Sequence, residues 1–290
     1  MAGAGLRDTR RRIRSIEATK KITRAMELIA ASRIPKAQAR VNASKPYTAK
    51  LIEVIQNVGG AAGSTAHPLL ERRELRKVGL LVVTSDRGLA GAYATNVIRL
   101  AERRMLEHRR AGVDVDLFVV GKKAQAYFRY RGWSIRGSYL GVTDTPGYGD
   151  ARAIANAIMD AYGSADIDAV EAFYTRFQSA MTQVPTAAEV LPITPPQSDS
   201  TGPTADYSYE PSPAAILDRL LPRYVEATVF NMLLEASASE HSARRRAMKA
   251  ATDNAEELIR LLTVQANRAR QAEITTAITE IVGGAEALKE

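Results

Sequence analysis

The chain of 290 residues has no cysteine, and this excludes a disulfide framework, thiolate metal ligands and a cysteine nucleophile. It also lacks any apolar run near the roughly 18 residues that a membrane-spanning helix needs. Its only histidines, His67, His108 and His241, are too far apart to show metal-ligand spacing. The sequence therefore predicts no metal site and no membrane span.

Catalytic patterns are missing as well. No combination of residues resembles a Ser-His-Asp triad, and the two acidic pairs, Asp114 with Asp116 and Glu256 with Glu257, fall on a strand edge and on exposed helix faces. Carboxylates in such places are unlike the buried, pKa-shifted groups of acid–base catalysts. We interpret the chain as one that is not an enzyme by itself and that needs no cofactor.

Positive charge is unevenly placed. Residues 1–60 contain thirteen Lys or Arg and four Asp or Glu, a net +9, whereas the whole chain carries +8, so the other 230 residues sum to −1. A basic helix favours an acidic partner, either nucleic acid, anionic lipid or an acidic protein surface, although a solvated helix face is the simpler alternative. Asp8 and Glu17 distinguish this start from an acid-poor targeting segment, so we expect it to belong to the mature protein.

The longest feature is the stretch 223–290, which contains no proline and whose only glycines are Gly283 and Gly284. Its Ala, Leu, Glu, Arg and Met content predicts one helix, and 68 helical residues would reach about 100 Å. Its apolar side chains recur at alternating spacings of four and three: Ile274, Ile278, Ile281, Ala285 and Leu288. This spacing is typical of a narrow coiled-coil seam, so the helix needs a partner along its length.

A second long helical segment covers residues 3–58, with one apolar face among basic residues. Pro35 and Pro46 interrupt it, and we expect bends there because a mid-helix proline removes one backbone bond. If the two terminal helices are to stabilise each other, they must pack antiparallel.

Strands and helices alternate between these long helices. The sequence predicts strands at 78–83, 115–120, 133–135, 170–175 and 189–193, helices at 92–110, 122–131 and 151–162, and a Gly/Pro-rich loop at 137–149. Such alternation favours a mainly parallel, doubly wound sheet. The predicted fold is therefore α/β, with a long antiparallel coiled coil of the N- and C-terminal helices and an inserted Rossmann-like domain. The predicted divisions are 1–60, 75–195, a linker at 196–213, and 214–290.

One loop could hold a phosphate. The segment Asp86–Gly91 lies between a strand and a helix, where phosphate-binding loops occur, but it has neither the three-glycine dinucleotide spacing nor a following Gly-Lys-Ser/Thr. A tight turn in which Asp86 caps the following helix is the structural alternative.

Four stretches together resemble one family, the gamma subunit of F-type ATP synthases. They are residues 12–32, which are similar to the first helix of that family, 84–91, which are similar to the turn after its first strand, and 247–254 and 269–285, which are similar to its closing motifs. They occur in the family's order along the whole chain. Ala277 stands where the family usually has Glu, and Pro35 where relatives continue the helix.

The resemblance implies a non-catalytic rotor stalk. It would couple proton-driven rotation of the c ring to ATP synthesis or hydrolysis on the beta subunits, and it would regulate ATPase activity and proton flow. The implied partners are the ring of three alpha and three beta subunits, the epsilon subunit and the c ring. The implied location is the cytoplasmic face of a bacterial plasma membrane, as a peripheral protein.

The resemblance also assigns contacts residue by residue. A first set looks like the beta-subunit contact: Lys20, Lys21, Arg24, Met26, Arg33, Arg244, Arg270, Gln271 and Thr275. Tyr207 and Glu210 resemble the contact with the c ring. If Met26 and Arg244 are level, the helix beyond about residue 269 extends past its partner. Its apolar positions Ile274, Ile278, Ile281 and Leu288 would then form a bearing inside the alpha and beta subunits.

The sequence also leaves two other hypotheses open. The glycine-containing turn Asp86–Gly91 leaves open the hypothesis that the chain is a nucleotide-binding α/β enzyme with helical arms. Micromolar binding of ATP or NAD to the chain alone would support it. The basic first helix leaves open a nucleic-acid binder, but interleaved aromatic side chains are lacking and the chain has a single Trp, so a base-stacking platform is not expected.

Overall fold

The structure is a computed structural model that describes residues 2–61, 67–194, 210 and 212–287. The chain divides into two compact units. One combines Met1–Ala30 with Arg245–Glu290, and is called the coil unit below; the other is Ala31–Arg244, called the α/β unit.

Five α-helices and five strands make up the described chain. The helices are α1 (Ala2–Ala61), α2 (Tyr93–Arg110), α3 (Lys122–Tyr130), α4 (Tyr148–Gly163) and α5 (Pro213–Ala287), and a short 3₁₀ turn covers Pro68–Leu70. The strands are β1 (Lys77–Val83), β2 (Asp114–Val120), β3 (Ile135–Tyr139), β4 (Ala169–Phe177) and β5 (Gln183–Leu191).

The strands form one sheet in the order β3-β2-β1-β4-β5. The first four are parallel, and β5 pairs antiparallel with β4. β1, at the centre, is an almost fully buried apolar run, as expected of a parallel strand covered on both faces. The predicted mainly parallel α/β sheet is confirmed.

Helices cover both faces of this sheet. On one face, α2 and α3 pack through buried side chains such as Val97, Met105 and Phe128. On the other face, α4 packs through Ile154, Ile158 and Tyr162. This three-layer arrangement gives the α/β unit its hydrophobic core.

The long helices also contribute to that core. Leu217, Leu221 and Val225 of α5 are buried in the same cluster as α4, together with Ile55 and Val58 of α1. A second small cluster joins Val41 of α1 to Leu234 and Ala238 of α5. Within the α/β unit, therefore, the long helices act as core helices that pack on the sheet and on each other.

In the coil unit, α1 and α5 run antiparallel, as predicted. The hydroxyl oxygens of Thr23 and Thr252 lie 2.8 Å apart in a buried hydrogen bond. Three residues earlier on α1, Nζ of Lys20 lies 3.0 Å from Oε1 of Glu256, four residues later on α5. From the first contact to the second, the residue number falls by three on α1 and rises by four on α5, so the two helices are antiparallel and these contacts define their register.

That register corrects one expectation. Counted from these two contacts, Met26 lies at the level of residue 249 or 250. The prediction had placed Met26 level with Arg244, about five residues away. Extended along both helices at equal rise, the observed register brings the start of α1 opposite about residue 274 of α5.

The third strand was predicted wrongly. A strand at 133–135 followed by a loop from 137 was expected, but β3 covers Ile135–Tyr139. Gly137 suggested a loop, yet it lies within the strand because Phe118 packs on it: a Cβ there would come within 2.9 Å of the phenyl ring. The register shift between Leu117 and Phe118 occurs at the same place.

The last strand begins six residues before the predicted start at residue 189. Pro185 and the pair Ala187 and Ala188 weaken its strand signal, since proline and alanine are both depleted in strands. Proline is tolerated there because β5 is an edge strand, paired only with β4. The antiparallel pairing with β4 outweighs the local preference.

Helix α1 continues through Pro35 and Pro46, and α5 through Pro222. The first helix is therefore continuous across both prolines, and the bends expected there remain a prediction. Ile34 and Val41 are buried around Pro35, so packing within the α/β unit holds the helix where one backbone bond is missing.

Candidate subunit interface

The predicted basic face in the coil unit lies on the surface of α1. Lys21 and Arg24 are exposed, and Met26 is half-buried. Two of the three cations already have partners in the chain: Lys20 pairs with Glu256 at 3.0 Å, and Arg24 pairs with Glu27 at 2.8 Å. Exposed ion pairs of this kind contribute little stability, so these cations can exchange their partners at little cost.

Arg33 belongs to the α/β unit and is held by Asp144. Its Nη1 donates to both carboxylate oxygens, at 2.7 and 2.6 Å. Burial of Asp144 acts to raise its pKa, but the hydrogen bonds and charge of Arg33 outweigh that effect and the pKa lies below its ordinary value. Any contact of Arg33 with a partner subunit would compete with this pair.

Arg244 is oriented inwards. Its side chain is buried, its Nη2 pairs with Oε1 of Glu240 one turn earlier, and the same nitrogen donates to the carbonyl oxygen of Gly88 at 3.3 Å. The guanidinium therefore joins α5 to the turn after β1 within the α/β unit. Its predicted contact with a beta subunit stays a prediction, and its observed contacts are structural.

The C-terminal part of α5 is exposed along its apolar positions. Ile274, Ile278 and Ile281 are 50%, 56% and 72% exposed, and Val282 beside them is 55% exposed. Arg270, Gln271 and Thr275 lie in the same stretch and are exposed too, with the Thr275 hydroxyl donating to the Gln271 carbonyl at 2.9 Å. The seam pattern is thus present on a helix face that the described chain leaves open to solvent.

The remaining predicted contact positions are Tyr207, Glu210 and Leu288. Tyr207 and Leu288 lie outside the described residues. Glu210 is described and exposed. The c-ring contact and the last bearing position therefore remain predictions.

The turn Asp86–Gly91 is occupied by structural bonds. The carboxylate of Asp86 accepts from the backbone N–H of Lys122 at 3.2 Å and from the hydroxyl of Thr143 at 2.9 Å. The predicted cap on the next helix is wrong, because α2 begins after Ala92 without a side-chain cap. Asp86 instead fastens the turn to the start of α3 and to the loop before α4, since those are the N–H and O–H donors that face it.

Two absences hold over residues 2–61, 67–194, 210 and 212–287. In that part of the chain, no three His, Asp or Glu side chains are grouped so that they could hold a metal ion. Over the same ranges, no helix combines the length and apolar character needed to cross a bilayer.

Sequence reasoning missed the buried polar cluster around Arg244. Glu240, His241 and Arg244 of α5 are all buried, and Asp144 approaches His241 at 3.8 Å between Oδ1 and Nε2. Burial lowers the pKa of His241 below its ordinary value, so its ring is neutral at pH 7. The available signal was the run of small residues at 236–239, which permits close helix packing just before an acid and a base spaced four apart.

Comparison with known proteins gives a consistent result. A family model described as ATP synthase matches residues 5–288. A protein from Acidothermus cellulolyticus named ATP synthase gamma chain is 50% identical over 294 residues, which cover 99% of this chain and 98% of that protein. A protein of the same name from Frankia casuarinae is 48% identical over 296 residues and covers 99% of both chains.

Solved structures show the same fold. A chain in the Euglena gracilis mitochondrial ATP synthase, from a structure of its OSCP, F1 and c-ring part, superposes with a TM-score of 0.69. The match covers 99% of this chain and 95% of that chain at 17% identity. A chain of the rotor from the same organism gives a TM-score of 0.65 over 94% and 99% of the two chains, also at 17% identity. At this identity the structural likeness supports the fold alone.

Proposed function

The chain belongs to the ATP synthase gamma-chain family, and we propose which of its surfaces perform the work of that subunit. A gamma chain is a non-catalytic subunit and forms the central stalk of an F-type ATP synthase, the rotor that couples ion-driven rotation to ATP synthesis or hydrolysis. The observation that carries this conclusion is the sequence identity of 48–50% with proteins named ATP synthase gamma chain, over 99% of this chain.

The partners follow from this role. The stalk would turn within the ring of alpha and beta subunits, where catalysis takes place, and would join the epsilon subunit and the c ring. As the relatives named above are bacterial, the proposed location is the cytoplasmic face of the plasma membrane, reached through the complex.

The basic face of α1 is the proposed contact with an acidic segment of the beta subunit. Lys21 is exposed and has no carboxylate within ion-pair distance among the described residues. Lys20 and Arg24 form surface ion pairs, so each could exchange its carboxylate partner for one on the beta subunit. Half-buried Met26 adds an apolar patch at the same level. Arg33 and Arg244 would contribute only through rearrangement of the pairs that hold them.

The exposed end of α5 is the proposed bearing. Isoleucines at 50–72% exposure in one stripe are an unusual surface for an isolated helix, and an apolar sleeve of partner subunits would cover them. Arg270, Gln271 and Thr275 lie at the start of this stretch, and their exposed polar groups suit hydrogen bonds to a loop of the beta subunit. Leu288 would extend the bearing, and Tyr207 and Glu210 would contact the c ring.

Charge reversal tests the basic face. The triple substitution Lys20→Glu, Lys21→Glu and Arg24→Glu should lower the number of protons pumped per ATP hydrolysed severalfold in vesicles carrying the reconstituted complex, because it repels an acidic partner. The free energy of unfolding of the chain alone should change by less than about 1 kcal/mol, since these are surface charges.

The matched control makes the same change of net charge elsewhere, by Arg103→Glu, Arg110→Glu and Lys122→Glu, on exposed positions of α2 and α3. Equal coupling in the two triple variants would refute a specific contact. Copurification with tagged beta subunit shows that each variant is assembled, so a failure of assembly is not mistaken for a failure of coupling.

A second pair of variants tests the bearing. Ile278→Asp with Ile281→Asp should leave the thermal unfolding of the isolated chain unchanged, because both side chains are more than half exposed, but should reduce ATP synthesis by the assembled complex severalfold. Thr276→Asp with Thr279→Asp adds the same charge to the opposite half of the helix and should have a smaller effect. Equal losses in the two variants would show that added charge, rather than an apolar contact, explains the result.

A further inference from the structure

A buried acid on α5 is not explained by the rotor surfaces. Glu240 is only 2% exposed, and its Oε1 pairs with Arg244. Its other carboxylate oxygen, Oε2, is buried and has no hydrogen-bond partner among the described residues. A charged carboxylate buried with one oxygen unpaired is unfavourable, because the lost hydration is only half replaced.

Several charged groups face this acid from the elements around it. Asp86, in the turn after β1, and Asp144, in the loop before α4, both place negative charge near Glu240. From α2, Tyr93 approaches the same pair, and its hydroxyl donates to the carbonyl of Ala236 at 3.0 Å. Arg244 is the cation that acts directly on Glu240.

The more distant titratable groups act mainly on Asp144. Arg33 of α1 binds its carboxylate, Arg87 lies 3.9 Å away, and His241 lies 3.8 Å away. These groups leave Arg244 as the only close counter-charge of Glu240 among the described residues.

Two effects compete for the proton of Glu240. Burial and the neighbouring Asp144 and Asp86 raise its pKa, and Arg244 lowers it. Burial is the larger effect, and it raises the pKa of Glu240 from an ordinary 4.5 to about 7. The proton is therefore exchanged near neutral pH.

Arg244 connects this acid to the neighbouring turn. The nitrogen that pairs with Glu240 also donates to the carbonyl of Gly88, so one guanidinium serves both groups. The turn itself has two residues with positive φ, Leu89 at 63° and Gly91 at 59°. A change in the charge of Glu240 therefore changes the group that ties α5 to this turn.

We propose that Glu240 and Arg244 form a proton-sensitive latch between α5 and the turn Asp86–Gly91, closed while Glu240 carries a proton and loosened when Glu240 is ionised. The direction follows from linkage. In the closed arrangement Glu240 binds its proton more tightly than in water, so closure is fully favoured below about pH 4.5 and is progressively lost as pH rises to about 7. Above that value only about a further factor of two is lost.

The latch lies wholly within residues 31–244 and shares only Arg244 with the beta-subunit contacts proposed above. Through it, the α/β unit would respond to the pH of its compartment over the range near neutrality. No covalent step or added cofactor is required.

Hydrogen–deuterium exchange of the full-length chain at pH 5.5, 6.5 and 7.5 tests the latch. The amide of Asp86 lies in the turn and donates to the hydroxyl of Thr143 at 3.1 Å, so its exchange reports opening of the turn. After correction for intrinsic exchange rates, the opening of this turn should increase about twentyfold between pH 5.5 and 7.5, as expected for one proton with the two pKa values given above. Amides of β2 serve as the internal reference and should not follow this change.

Glu240→Gln should abolish the pH response, because glutamine does not titrate. Glu257→Gln removes an exposed acid from the same helix and should respond like the unchanged chain. The proposal is overturned if Glu240→Gln retains the response, or if turn opening in the unchanged chain is independent of pH. If Glu240→Gln does not fold, the unchanged chain still decides: turn opening that rises from pH 5.5 to 7.5 supports the latch, and turn opening that stays constant over this range refutes it.

Discussion

Arg244→Met should lower the free energy of unfolding by about 3 kcal/mol at pH 8, the scale of a buried ion pair that loses one partner. Methionine keeps much of the volume of the arginine stem, so packing is largely preserved. What is lost is the counter-charge of buried Glu240 and the hydrogen bond to the carbonyl of Gly88. The carboxylate must then remain buried without a partner or bind a proton.

The loss should be smaller at pH 6, by at least about 1 kcal/mol. Arg244 lowers the pKa of Glu240, so its removal raises that pKa further above the ordinary value. A group with a raised folded-state pKa contributes stability that is lost as pH rises. The variant should therefore lose stability over a wider range than the unchanged chain, extending above pH 7. Urea unfolding at both pH values measures the two free energies.

Arg245→Met is the matched control. Arg245 is the next residue on α5 and is exposed, so its replacement should change the free energy of unfolding by less than about 0.5 kcal/mol at either pH. Equal, small effects of the two substitutions would mean that Arg244 is not a buried structural partner. Its role as a surface contact with a beta subunit would then gain support.

The sequence predicted the terminal helices and the parallel sheet because their signals are local and strong. An apolar run such as Val78–Val83, or a long stretch without proline, has few alternative structures. The antiparallel helix pair was also predictable, since two slim apolar stripes at opposite ends of a chain can cover one another. Resemblance to known gamma subunits then supplied the function, which elimination of catalytic motifs alone could not provide.

The failures have a common physical origin in tertiary contacts. Gly137 was taken for a loop residue, yet it is a strand residue that the ring of Phe118 requires to be small. Pro185 concealed an edge strand whose pairing with β4 outweighs its local preference. The helix register was misjudged because spacing identifies a stripe but does not say which residue faces which. Thr23 and Thr252, the pair that defines it, gave no signal of their own.

The buried cluster of Glu240 and Arg244 was missed for a related reason. An acid and a base spaced four apart on a helix are ordinarily a surface pair, and the run of small residues at 236–239 was the one local signal that this pair is buried. Its burial depends on a turn more than 150 residues earlier in the chain, through Gly88. The stripe from Ile274 to Ile281 presents the opposite case, because its side chains are exposed and no other part of the described chain covers them.

Gly121→Ala should lower the free energy of unfolding by about 3 kcal/mol or more, since two costs add. Gly121 has φ 92° and ψ 144°, a conformation that residues with a side chain rarely adopt. A Cβ there would also come within 2.8 Å of the backbone carbon of Ser85. That backbone is fixed, because the carbonyl of Ser85 accepts from the N–H of Lys123 and Thr84 before it bonds to Val120.

Gly112→Ala separates these two costs. Gly112 also has a positive φ, 75°, but a Cβ there would meet nothing within 4 Å, so its replacement should cost only about 1 kcal/mol. Thermal unfolding and the yield of soluble chain should rank the two variants in this order, and equal losses would mean that the contact with Ser85 is not limiting. Because Gly121 joins β2 to α3 against the turn that Asp86 and Arg244 also hold, its loss should loosen that turn before the rest of the sheet.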